Sequence, residues 1–176
     1  MLWDRWVGLV LVLGAFYGLG EFKASQTRRR VAELEEFRLA LRLLSAEIGY
    51  TSTPLPRALA MVSGRLQREP VREFFLLAGE FLGGEGRLAE AAHSWAAAAE
   101  RQRGILALTG DDWATLLRGA AGLGALGRSD QVRQLELAGG QLAELAAEAA
   151  SRCRDGEKIW RYLGALAGLA VVILLL

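Results

Sequence analysis

The chain has 176 residues, 52% of them hydrophobic, with 21 Lys and Arg set against 20 Asp and Glu. That length holds one domain, or one modest domain with membrane anchors. A net charge of +1 leaves no global field that calls for nucleic acid, and a single cysteine, Cys153, excludes an internal disulfide framework. Ala, Leu, Glu and Arg dominate and only three prolines occur, a mixture that favours helix.

The first element is apolar. Trp6 to Gly20, WVGLVLVLGAFYGLG, is 15 residues without a charge. A helix of that length reaches about 22 Å, short of a hydrocarbon core of about 30 Å. Leu2 and Trp3 lengthen it, and Asp4 and Arg5 can snorkel to the headgroups. Residues 1–22 therefore read as a transmembrane anchor, with Gly14 and Gly18 spaced for close helix packing in lipid. A cleaved signal peptide is the competing reading. Asp4 beside Arg5 and the lack of an A-x-A site argue against it.

Residues 28–49 come next, with apolar Val31, Leu34, Phe37, Leu41, Leu44 and Ile48 at three-four spacing. That is one face of an amphipathic helix, opposite a face of Glu and Arg, with Gly49 near its C-cap. In TSTPLPRALAMVSGRL, Ser52 or Thr53 can cap, Pro54 suits a first turn, Leu55, Leu59 and Val62 face inward, and Gly64 loosens the end. Pro70 opens a third helix in which Phe74, Leu77 and Phe81 repeat, and GGEG at 83–86 breaks it. RLAEAAHSWAAAAERQR is the fourth. LTGDD at 108–112 is the next break, with Thr109 or Asp111 to cap a fifth helix over about 111–121 that carries Trp113, Leu116 and Leu117. After GLGALGRS, Ser129 or Asp130 caps a long helix that runs to about Trp160.

The chain then becomes apolar again. Tyr162 to Leu176, YLGALAGLAVVILLL, is a second 15-residue run without charge, extended by Trp160 and carrying Gly164 and Gly168. The closing VVILLL has no polar face, which argues against a buried core helix. Lys23, Arg28, Arg29 and Arg30 follow the first run, and Arg152, Arg154, Lys158 and Arg161 precede the second. The positive-inside rule then sets residues 23–159 in the cytoplasm and both termini across the membrane. The expected fold is all-α: a compact antiparallel bundle of about six helices over 23–159, flanked by transmembrane helices at 1–22 and 160–176.

The chemistry-bearing residues point to no reaction. GLGALG at 122–127 matches G-x-G-x-x-G literally, but it follows a helix where the dinucleotide fingerprint follows a strand. GGEG lacks the lysine of a P-loop. His93 is the only histidine, with no metal or triad partner in view. Cys153 lies on a helix between two arginines. Glu35–Glu36 and Asp111–Asp112 are adjacent pairs that point apart on a helix, so they read as solvated faces or caps. The triple arginine at 28–30 suits anionic lipid or the acidic surface of a partner. No catalytic, cofactor or metal residue is assigned.

Two stretches carry a resemblance. One is Glu47-Ile48-Gly49-Tyr50-Thr51-Ser52-Thr53-Pro54-Leu55-Pro56 followed by Ala58-Leu59. The other is Leu126-Gly127-Arg128-Ser129-Asp130 with Gln134 after it. With the apolar ends and the length, the whole chain resembles the stage III sporulation protein AB family of endospore-forming bacteria. It departs from the family at Arg57, where glutamate is usual, and at Gly122-Leu123, where Phe-Gly is usual. The resemblance implies a bundle similar to the cytoplasmic domain of type II secretion F-type platform proteins, with no catalytic residues. It implies a place in the mother-cell-side membrane around the forespore. The implied partners are the secretion-type ATPase of the same operon and the ring and membrane proteins of a sporulation channel. In that frame Tyr50, Pro54, Leu55 and Gly127 are structural, with Pro54 starting a helix and Asp130 capping one. The expected partner surface is the polar face from Arg28, Arg29 and Arg30 to Glu47, together with the turn at Arg128 and Asp130. A lipid-interacting, membrane-shaping protein is the alternative.

Overall fold

A computed structural model describes residues 25–51, 53–83 and 91–175, with side chains followed as far as Cys153. Every described element is helical. Helix α1 covers residues 25–46 and passes into a π-helical turn, Glu47–Thr51. Then come α2 (Leu55–Ser63), α3 (Glu69–Gly83), α4 (Ala91–Gln102), α5 (Gly110–Ala120) and α6 (Arg128–Leu175). The chain divides into two units, one of Arg30–Glu148 and one of Met1–Arg29 with Ala149–Leu176.

The apolar stripe of α1 does what its spacing predicts: Leu34, Phe37, Leu41, Leu44 and Ile48 are buried, and Val31 is half-buried. The stripe of α3 is shifted from the expected one. Val71, Phe74, Phe75, Ala78 and Leu82 face the core, while Phe81 is exposed and Leu77 packs at the margin. Phe75 takes the inward place because both rings of the Phe-Phe pair fit one aromatic cluster. Phe37, Phe74, Phe75, Trp95 and Trp113, from α1, α3, α4 and α5, stack edge to face or tilted at centroid distances of 5.2–6.5 Å. Each such pair adds about 0.5–1.5 kcal/mol beyond the area it buries. Helices α2 to α5 pack on each other in sequence order. Helix α6 adds Leu135, Ala138, Leu142 and Ala146 to the same core.

The helix ends differ from the expected caps in two places. Helix α1 does not stop at Gly49; it widens through it into the π turn. Pro54 is the N-cap of α2, its carbonyl accepting from the Ala58 amide at 2.9 Å, with no side-chain cap. Thr53 lies one residue before that N-cap, and its hydroxyl meets Thr51 Oγ1 at 2.7 Å and Glu47 Oε2 at 3.4 Å. Ser52 lies outside the described residues. Thr109 does cap α5. Its hydroxyl accepts from the Asp112 amide and Asp112 Oδ2 accepts from the Thr109 amide at 2.8 Å, a reciprocal capping box.

GLGALG is a helix-to-helix turn. Leu126 and Ala125 donate to the Gly122 carbonyl, and Gly124 has φ of 79°, a left-handed conformation that needs glycine. Gln134 reaches back from α6 and donates to the Arg118 carbonyl at 2.7 Å, passing so close to Gly122 that a β-carbon there would collide with it. Gln131 donates to the Leu126 carbonyl at 2.7 Å. Asp130 lies inside the first turn of α6 instead of before it, and its amide and that of Gln131 donate to the Gly127 carbonyl.

Helix α6 also runs past the expected boundary near Trp160 and continues to Leu175. No proline interrupts it. Among the described residues no helix is long and apolar enough to cross a membrane. The first apolar run, with Gly14 and Gly18, lies outside the described residues. The second, with Gly164 and Gly168, is described as helical backbone only.

Candidate docking groove

Helix α1 has two kinds of polar residue. In its first half they turn into the fold. Arg30 forks onto Asp112, with Nε 2.8 Å from Oδ2 and Nη2 2.9 Å from Oδ1, and Nη2 also donates to Thr109 Oγ1. The side chains are 16% and 0% exposed. Burial alone pushes the Asp112 carboxyl upward, but the Arg30 fork, the Thr109 amide and hydroxyl, and the Arg30 charge together hold it below the ordinary value. The same hydrogen bond to Asp112 raises Arg30 against its desolvation. Buried Glu33 accepts from the Ala107 amide at 2.7 Å and so holds the α4–α5 connection. Glu36 accepts from the Gln67 and Arg68 amides and holds the turn before α3. Asp112 is thus a cap but not a solvated one, and Glu36 is a cap for another helix.

In the second half the polar residues line a groove. Gly49 and Val132 meet there: a β-carbon on Gly49 would sit 3.5 Å from Val132 Cγ2. Each of the two sequence stretches that carry the family resemblance, far apart in the chain, contributes two lining residues: Gly49 and Tyr50 from one, Arg128 and Ser129 from the other. The groove measures about 730 Å³. Leu41, Val132 and Leu135 supply its apolar lining, and Ser45, Ala46, Gly49, Gly139 and Gly140 keep it open. Its charges are Arg38, Arg42 and Arg128 against Glu136. Tyr50 stands at the edge with 89% of its surface exposed. Arg38 pairs with Glu35 at 2.6 Å, whereas Arg42 has no ion-pair partner among the described residues.

The expected partner residues therefore separate. Arg28 and Arg29 are exposed at the start of α1. Arg30 is held by Asp112, and buried Glu47 is held by Thr51 and Thr53 with Arg65 at 3.7 Å. Arg128 lines the groove, and Asp130 is exposed in the first turn of α6. Tyr50 is in the groove, Pro54 and Gly127 stand at the starts of α2 and α6, and Leu55 packs against the core.

The expected polar face from Arg28 to Glu47 spans Arg38 and Arg42 without singling them out, and the sequence reading passes over Gly139 and Gly140. The glycine pair was the available signal. Each glycine costs a helix interior about 1 kcal/mol against alanine. Among the described residues nothing lies within 4 Å of where their β-carbons would stand, so packing against those residues does not require them. Elsewhere, His93 is exposed on α4 and Cys153 is a free, half-buried thiol on α6. Among the described residues no group of three or more His, Cys, Asp or Glu is placed to hold a metal.

A family model for stage III sporulation protein AB matches residues 5–176. The chain belongs to the stage III sporulation protein AB family. The stage III sporulation protein AB of Bacillus subtilis (strain 168) is 28% identical over 170 residues, which is 97% of this chain and 98% of that one. A solved structure of a stage III sporulation protein AB aligns with TM-score 0.64 and 26% identity, over 72% of this chain and 97% of the other. The helical fold and the family agree across stage III sporulation protein AB.

Proposed function

We propose that this protein is a non-enzymatic platform in the secretion-like channel between mother cell and forespore, coupling a cytoplasmic ATPase to the membrane apparatus. The observation that carries the reading is the convergence of the two family stretches on one open groove. Residues that serve only folding become buried and satisfied, as Arg30 and Asp112 do. Tyr50 and Arg42 are in the opposite state, exposed on a helical wall, which suits a docking surface.

The two apolar runs serve as membrane anchors in this reading, with Gly14, Gly18, Gly164 and Gly168 available for helix packing in lipid. The basic residues flanking them support, in this reading, a bundle in the cytoplasm with both termini across the mother-cell-side membrane. Ring and other membrane proteins of the channel are the neighbours there.

The test is recovery of the ATPase of the same operon on the tagged full-length protein in detergent. The paired substitution Tyr50→Ala with Arg42→Glu lowers recovery at least tenfold. Unchanged recovery removes the ATPase from the proposal. Exposed Arg28 and Arg29 favour a second reading, in which the protein binds and shapes anionic membrane. Flotation with anionic vesicles that is lost in Arg28→Glu with Arg29→Glu, while no channel protein copurifies, selects that reading.

A further inference from the structure

We infer that the groove between α1 and α6 is the seat of one helix from another protein, acidic along its flanks and small or apolar along its buried face. The inference rests on the platform reading and adds the chemistry of the occupant.

Three observations define that occupant. The first is shape. A trough between two neighbouring helices is where a third helix packs in a bundle, and helix-in-groove docking reuses that geometry. The second is the floor. Gly139 and Gly140 sit next to each other in the middle of a helix, both line the groove, and a β-carbon on either would meet no other group among the described residues. Glycine facing an open trough admits the close approach of a foreign backbone. Ser45, Ala46 and Gly49 keep the facing wall equally low. The third is charge. Three arginines, Arg38, Arg42 and Arg128, line the groove with one carboxylate, Glu136; Arg38 is paired with Glu35, and Arg42 has no ion-pair partner among the described residues. An acidic helix fits that balance and a basic one is repelled. Tyr50 at the edge supplies a large, low-entropy apolar contact for the occupant's apolar face.

A substitution at the floor separates binding from folding. Leucine is a far better helix former than glycine, and no atom lies where the Gly140 β-carbon would go. Gly140→Leu therefore leaves the fold as stable as before, or more so, while filling the trough. The full chain in neutral-lipid nanodiscs is used to select from a displayed library of randomised helices that includes acidic, basic and uncharged flanks. The expected result is enrichment of acidic amphipathic helices. Those helices bind Gly140→Leu and Arg42→Glu at least tenfold more weakly, with the thermal midpoint of each variant retained. Enrichment of basic or uncharged helices, no enrichment, or equal binding to both variants overturns the inference. So does a concentration-dependent dimer of the wild type that Gly140→Leu dissolves, because the seat is then filled by a second copy. If acidic helices bind through the groove while ATPase recovery is indifferent to the same variants, the groove inference stands and the ATPase assignment falls.

Discussion

The two halves of α1 are built from the same residue types and put to opposite uses. In the first half, Arg30, Glu33 and Glu36 reach across to α5, the α4–α5 connection and the turn before α3. In the second half, Arg38 and Arg42 face a groove and Tyr50 stands out into solvent. Charge on a helix face does not separate the two uses. What separates them is whether an orphaned backbone amide or a buried opposite charge lies within reach. Where one does, the polar side chain is part of the fold; where none does, it is available to a partner.

That contrast breaks most directly at the clasp. Asp112→Ala removes the capping box and leaves the Arg30 guanidinium partly buried without its counter-charge. The expected loss is about 3 kcal/mol, read from denaturant unfolding of the full chain by tryptophan fluorescence. Glu33→Ala strips the acceptor from a half-buried amide and is expected to cost about 2 kcal/mol by the same measurement. Thr109→Ala keeps the ion pair, loses the cap and should cost about 1 kcal/mol. Values near zero for all three would erase the distinction between the halves.

The groove half predicts the other pattern. Gly139→Ala and Gly140→Ala should each stabilise by about 1 kcal/mol, since alanine fits where nothing else stands. Arg42→Glu should shift stability by less than about 0.5 kcal/mol while weakening partner recovery. The smallest effect sharpens the first half. The Asp112 carboxyl is held below its ordinary value in the folded protein. Its contribution is therefore fully present above the unfolded value of about 3.9 and is lost as pH falls through the lower folded one. Acid unfolding of Asp112→Asn should be shallower than wild type below about pH 4.

Much of the fold is legible from spacing alone. The α1 stripe from Leu34 to Ile48 is recoverable because a long, regular repeat admits one register. The α3 stripe is not, because Phe74-Phe75 gives two registers of equal apolarity and only the aromatic cluster chooses between them. Thr109 is legible as a cap because its partner is three residues away. Arg30 is not legible as a fold residue, because Asp112 lies 82 positions on and local pattern cannot reach it. The same limit applies to the groove. Both stretches that line it were visible one at a time, and Gly139 and Gly140 gain their meaning only once Gly49 stands opposite α6.

The long reach of the Arg30 clasp has a consequence for synthesis. Helix α1 is among the first described elements to leave the ribosome, yet the partners of Glu33 and Arg30 arrive late: Ala107 lies 74 residues after Glu33, and Asp112 lies 82 after Arg30. At roughly 5–20 residues per second, that interval is roughly 4–16 s. Through all of it Leu34, Phe37, Leu41 and Leu44 have no α5 to close over them. Phe74 and Phe75 of α3 can meet Phe37 earlier, but the Arg30 clasp closes only once residue 112 has emerged, before the α6 side of the groove exists.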